Sequence, residues 1–190
     1  MNYLLKRLLI LLFLAAIALL GYLHFVENIF SPRLSPQDTV SFQLNDLKLS
    51  VNYNRPSKRD REIFGALIPF GQVWRTGANE ATVFKTNKDL MIDGIYLPQG
   101  DYTLWTIPNE NSWQVFLNNK MYTWGVDETM KAMREPQYDV VDIEAAVQKL
   151  DNVVEQFTIG FDNTTGKLYL TMVWDQIKIA VPIEELKVTQ

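Results

Sequence analysis

From Val40 onward the apolar positions recur at every second residue. Val40, Phe42 and Leu44 alternate with polar neighbours, and after Asn45-Asp46 the series resumes at Leu47, Leu49, Val51 and Tyr53. Such alternation predicts a hairpin with one buried face. Ala81 to Thr86 reads as a third strand. Asp101 to Ile107 and Trp113 to Asn118 read as a pair joined by the turn residues Pro108 to Ser112. Val141, Ile143, Ala145 and Val147 continue the period, as do Phe157, Ile159 and Phe161. The run Asp162-Asn163-Thr164-Thr165-Gly166 is a turn signal. Beyond it, Leu168, Leu170, Met172 and Trp174 share one face, and Ile177, Ile179, Val181 and Ile183 share the next. About eight to ten short strands with turns between them predict an all-β, antiparallel β-sandwich. One or two short helices are expected, at Asp60 to Leu67 and at Asp127 to Arg134. The second has acid at its start and Lys131 and Arg134 toward its end, which suits the helix dipole.

The first quarter of the chain breaks the period. Lys6-Arg7 is followed by the uncharged run Leu8 to Leu23, and the apolar character continues through Val26. About eighteen residues span about 27 Å as a helix, close to a bilayer core. The expected division is a cytoplasmic N-terminus over 1–7, a transmembrane signal anchor over 8–26, a linker over 27–38 and a β-sandwich over 39–190. Basic residues ahead of the span place the domain outside, in the periplasm where there are two membranes. The alternative is secretion after cleavage at Ala16-Ile17-Ala18, which would leave an apolar new terminus. Ser31-Pro32 and Ser35-Pro36 predict an extended linker. His24 reads as an interfacial residue.

Composition then removes chemistry. The chain of 190 residues has no cysteine, and its single histidine is His24. The domain therefore offers no thiolate nucleophile, no Ser–His–acid triad and no histidine- or cysteine-ligated metal site. Carboxylate-pair chemistry, a Ser–Lys pair or an oxygen-ligated cation stays open. No metal and no cofactor is expected. Setting aside Lys6 and Arg7, 16 of the 18 basic residues remain against 22 acidic ones, a balance of −6. An acidic domain is a poor partner for nucleic acid.

The irregular stretch Tyr53 to Thr82 is dense in Arg, Gly, Pro and aromatic residues. Arg55, Arg61, Arg75 and Glu80 are candidates to converge there, with Thr76 and Asn79 as neutral donors and Trp74 and Phe70 as a roof. Arginine forks bind carboxylates or phosphates in pairs of hydrogen bonds. Two readings stay open. The group is a pocket for an anionic small molecule, or Arg75 pairs with Glu80 or another acid and ties the loop onto the sandwich. Five tryptophans raise a glycan-binding reading, with Trp105 and Trp124 as the exposed platform; core packing is the default for such residues. Glu80, Asp101 and Asp139 are formal members of a hydrolytic carboxylate pair. Asp162-Asn163 lacks the ligand run of an EF-hand.

Ser31-Pro32, Val51-Asn52-Tyr53-Asn54-Arg55-Pro56, Arg61-Glu62-Ile63-Phe64-Gly65, the run Leu67 to Thr82 with its Trp-Arg-Thr-Gly-Ala-Asn-Glu core, Leu97 to Leu104 and Glu155 to Ile159 carry a resemblance. Over about residues 31–184 the chain resembles the bacterial domain of unknown function 2911 family. The resemblance implies an envelope-associated β-rich domain behind an export signal, in bacteria of Bacteroidetes type. It supplies no activity, substrate or catalytic residue. The segment Tyr122 to Gln137 departs from the family pattern. The expectation is thus a membrane-anchored binding or interaction module of the envelope, its partner an anionic small molecule, a glycan or an envelope protein. The alternative is an enzyme, a hydrolase or isomerase, using carboxylates and arginine near Arg75 and Glu80.

Overall fold

A computed structural model describes residues 2–30 and 33–186. It comprises two units, one up to Arg33 and one from Leu34 onward. The first is a single helix, α1 (Tyr3–Phe30). Its stretch Tyr3–Phe25 is 23 residues long with a mean hydropathy of 2.5. At 1.5 Å per residue that is about 34 Å, long and apolar enough to cross a membrane. The helix runs into the segment expected to be an extended linker. Ser31-Pro32 lies outside the described residues.

The second unit is built from ten strands in two antiparallel sheets. In chain order they are β1 (Gln37–Leu44), β2 (Leu47–Asn54), β3 (Val83–Thr86), β4 (Leu90–Ile92), β5 (Ile95–Leu97), β6 (Gly100–Pro108), β7 (Ser112–Asn118), β8 (Asp139–Ala146), β9 (Gln148–Asp162) and β10 (Leu168–Glu185). One sheet has the order β1-β2-β3-β6-β7-β8 and the other β5-β4-β10-β9. The first hairpin pairs Leu44 with Leu47 across Asn45-Asp46, which fixes the register of the whole pair. Leu47, Leu49, Val51 and Tyr53 all point inward and are buried. They pack with Phe84, Leu104 and Val115 of their own sheet against Ile159, Met172 and Val181 of the other. The Tyr53 hydroxyl accepts from the Ile159 amide at 3.0 Å, tying the two sheets together.

Three departures from the sequence reading have physical causes. The runs ending at Trp174 and starting at Ile177 are one strand, β10. Its register against β9 shifts at Asp175, which has a φ of 54°. The buried apolar positions are even-numbered before that point (Leu170, Met172, Trp174) and odd-numbered after it (Ile179, Val181, Ile183), so an inserted bulge residue keeps one face toward the core. The β4–β5 hairpin was not expected because each strand is three residues long. Its signal was nevertheless present as Ile-Asp-Gly-Ile, and Asp93 and Gly94 take φ values of 48° and 83°. Positive φ at both central residues is the turn that Asp-Gly favours.

The two expected helices are absent. Arg59 and Asp60 take positive φ at the start of the first, and Met130 does so within the second. At the second, the Asp127 carboxylate accepts from the Thr129 and Lys131 amides and closes a turn instead. The only helical turn there is the 3₁₀ turn Pro136–Tyr138.

Candidate functional site

The irregular segment between β2 and β3 lies across one end of the sandwich. Trp74 anchors it. Its amide donates to Thr106 O at 2.7 Å, and the Thr106 amide donates back at 3.0 Å, so the segment takes up the edge of β6 that β3 leaves unpaired. The Trp74 ring stacks on Trp174 at 6.1 Å and meets Phe157 at 4.8 Å. Its indole N–H donates to Gly77 O. Next to it the Thr76 hydroxyl, fully buried, shares a hydrogen bond with Thr106 Oγ1 at 3.1 Å.

The candidate polar residues do not converge on one point. Arg55 clamps the two sheets together. Its Nη1 meets Asp38 Oδ2 at 3.2 Å, its Nη2 donates to Thr158 Oγ1 at 3.0 Å and its Nε donates to Phe157 O at 3.3 Å. Arg61 donates to the carbonyls of Ser57 and Lys58 and closes its own loop. Asn79, at a φ of 56°, donates to Ser35 O. Glu80 accepts from Asn54 Nδ2 at 2.9 Å. Arg55, Arg61, Asn79 and Glu80 are each engaged with separate partners, and those of Arg61 and Asn79 are backbone carbonyls of irregular segments.

Arg75 is the exception. Its Nη1 is buried and has no hydrogen-bond partner among the described residues. No ion pair of Arg75 with Glu80 or another acid occurs among the described residues, and Glu80 acts on the guanidinium through its field. Burial pushes the guanidinium below the ordinary arginine value, while Glu80 pulls the other way. An arginine nevertheless stays charged. The aliphatic stem of Arg75 packs beside Gly125, where an added Cβ would lie 3.2 Å from Arg75 Cβ.

Arg75 lines a cavity of about 400 Å³. Trp74 and Trp174 contribute to its wall, with Leu67 and Ile68 from the irregular segment and Val126 and Met130 from the β7–β8 connection. Arg59 and Arg61 also line it, and both are exposed. Among the described residues no carboxylate lines it. The volume falls in the range of small-molecule sites, about 300–1,000 Å³. Phe70, expected as a roof, is not part of the wall; its ring lies over Gly65. Sequence reasoning missed the β7–β8 connection as a wall, since nothing local in Val126 or Met130 marks it.

The aromatic platform is corrected. Trp105 does point away from the main core, as its parity on β6 predicts. That face is covered by the flanking segments: Trp105 is 0% exposed and packs with Ala81, Phe116 and Tyr122 in a second small core. Its N–H donates to Thr103 Oγ1 at 2.9 Å. Trp124 is 47% exposed, so the two rings do not share a surface. Of the formal carboxylate-pair members, Asp101 pairs with Lys85 and Asp139 with Arg134, and neither lines the cavity. Among the described residues no group of three or more His, Cys, Asp or Glu is placed to hold a metal ion.

Residues 35–183 match the family described as "Protein of unknown function (DUF2911)". No curated protein and no solved structure matches the chain.

Proposed function

The chain belongs to the DUF2911 family, whose description assigns no activity, and from the cavity itself we propose a membrane-anchored module that binds a small anionic ligand at the cell envelope. The observation that carries this is Arg75, which lines a ligand-sized cavity and whose buried Nη1 has no hydrogen-bond partner among the described residues. Leaving a buried donor unsatisfied costs about 1–3 kcal/mol. Its neighbours Asn79 and Glu80 are engaged in hydrogen bonds, so the unfilled valence is specific to Arg75. An anion seated on the guanidinium fills it.

The enzyme alternative required unpaired acids beside Arg75. Among the described residues the cavity wall holds no carboxylate, so binding without chemistry is the reading preferred. In this reading α1 is an uncleaved anchor, and Lys6-Arg7, in its first turns ahead of the uncharged run, holds the N-terminus in the cytoplasm.

Thermal unfolding of the full chain in detergent with a panel of anions and neutral controls tests the binding claim. A ligand at a hundred times its Kd stabilises by about 2.7 kcal/mol. Anions should raise Tm in the wild type and not in Arg75→Met. The claim fails if no anion raises Tm, or if the rise is equal in both proteins. Topology is checked separately. The chain has no cysteine, so Asn163→Cys in the exposed β9–β10 turn is a unique target for a membrane-impermeant maleimide. Labelling of intact cells or spheroplasts is expected; labelling only after lysis refutes the outward orientation.

A further inference from the structure

Resting on that reading, we infer that the ligand class is an organic monocarboxylate with an apolar body, rather than a phosphate, a polyanion or a sugar. Three features of the cavity carry this. The first is the number of spare donors. Arg75 supplies a buried Nη1 with no partner among the described residues. Arg61 spends Nε and Nη2 on the Lys58 and Ser57 carbonyls, and Arg59 spends Nη2 on Leu34 O at 2.9 Å; their remaining N–H groups belong to exposed side chains that water solvates, so Arg75 is the one that offers a buried donor. A carboxylate is satisfied by the paired N–H groups of one guanidinium. A phosphate monoester carries close to two charges and three acceptor oxygens, which one fork does not neutralise.

The second feature is the local charge. Glu80 lies close enough to act on the Arg75 guanidinium. A dianion beside Arg75 would meet that negative field, and the charges of Arg59 and Arg61, which also line the cavity, are exposed and screened by water.

The third feature is the opposite wall. Trp74 and Trp174 both line the cavity, and both indole N–H groups are already used, on Gly77 O and Glu155 O at 3.0 Å each. The rings therefore offer apolar surface only. Leu67, Ile68, Val126 and Met130 extend that surface. A sugar needs several donors and acceptors along its length; Ser35, Ser57 and Gln72 are the neutral polar side chains of the lining, and burying hydroxyls against the tryptophans without partners is unfavourable. An apolar body gains by the same burial.

The experiment uses the full chain in detergent and four probes: 4-phenylbutyrate, its uncharged amide, 3-phenylpropylphosphonate and inorganic phosphate. Binding is followed by tryptophan emission, since two of the five tryptophans line the cavity, and by competition calorimetry. The expected result is saturable 4-phenylbutyrate binding, at least about tenfold tighter than the amide and than the phosphonate, and none for inorganic phosphate. Arg75→Met should weaken the carboxylate about tenfold or more and leave the amide unchanged. Arg75→Lys keeps the charge without the fork and should fall between the two. A phosphonate that binds tighter than the carboxylate overturns the monocarboxylate class and leaves the anion site standing. Equal binding of acid and amide, unaffected by either variant, overturns both, as does the absence of saturable binding by every probe. If Arg75→Met does not fold, the Arg75→Lys protein and the acid-to-amide ratio in the wild type decide alone.

Discussion

Replacing Arg75 with methionine should leave the domain as stable as the wild type or more stable. Removing one partner of a buried ion pair costs about 3–5 kcal/mol, because a charge is left stranded. Arg75 is not in that situation. Its buried Nη1 meets no acceptor among the described residues, so its removal takes away a desolvated donor worth about 1–3 kcal/mol of penalty. Methionine keeps the Cβ that packs beside Gly125 and puts its sulfur where the arginine Cδ lay, filling similar volume with a flexible chain. Against this stands the lost attraction to Glu80. That loss is softened because Glu80 keeps its bond from Asn54 at 2.9 Å. The net expectation is between no change and about 2 kcal/mol of stabilisation. For a domain of this size each kcal/mol moves Tm by about 2–4 °C, so a rise of up to about 8 °C is readable. Thermal and urea unfolding of the full chain, followed by the circular dichroism of the strands, gives both Tm and the denaturant slope. A loss above about 2 kcal/mol with an unchanged slope would mean that the guanidinium is paired in solution. The ligand argument would then fall with it.

Arg134→Met should cost about 3–5 kcal/mol, since Arg134 and Asp139 are 9% and 10% exposed and the guanidinium lies 3.5 Å above the Phe116 ring. Lys85→Met, which breaks the half-exposed pair with Asp101, should cost under about 1 kcal/mol by urea unfolding; similar losses in the two would refute the distinction. Gly125→Ala should destabilise by about 1–2 kcal/mol, because the residue sits at a φ of 73° and the new Cβ would press on Arg75, and it should weaken any ligand that needs Arg75 in place. Stability should also fall with acid. Hydrogen bonds from Thr129 and Lys131 hold the Asp127 carboxyl below its usual range, and bonds from Thr164 do the same for Asp162. A depressed folded value contributes stability above about pH 4 that is lost as pH falls through that value. Asp127→Asn with Asp162→Asn should flatten the acid limb of Tm against pH, and an unchanged limb would show that neither carboxylate contributes.

The hairpin β1–β2, the β6–β7 pair and the inward faces of β8 and β9 were written locally. Alternation along Leu47, Leu49, Val51 and Tyr53 is enough to set a buried face, because side chains on a strand alternate by geometry. The apolar run behind Lys6-Arg7 fixes a helix long enough for a membrane by the same kind of local count. The absence of cysteine, and of histidine outside α1, closed whole classes of chemistry. The segment Tyr53 to Thr82 stood out by composition, and Arg75 was among its candidates. What the chain's own pattern left open is which arginine keeps an unfilled valence. That depends on distances between residues far apart in sequence: Arg55 reaches Thr158, and Glu80 is taken by Asn54. The cavity wall likewise needs Trp174 from β10 and Val126 and Met130 from the β7–β8 connection. Trp105 was expected to be exposed, yet the segments that fold over it bury it completely. Local geometry decides which way a side chain points, and only the packed chain decides what it meets there.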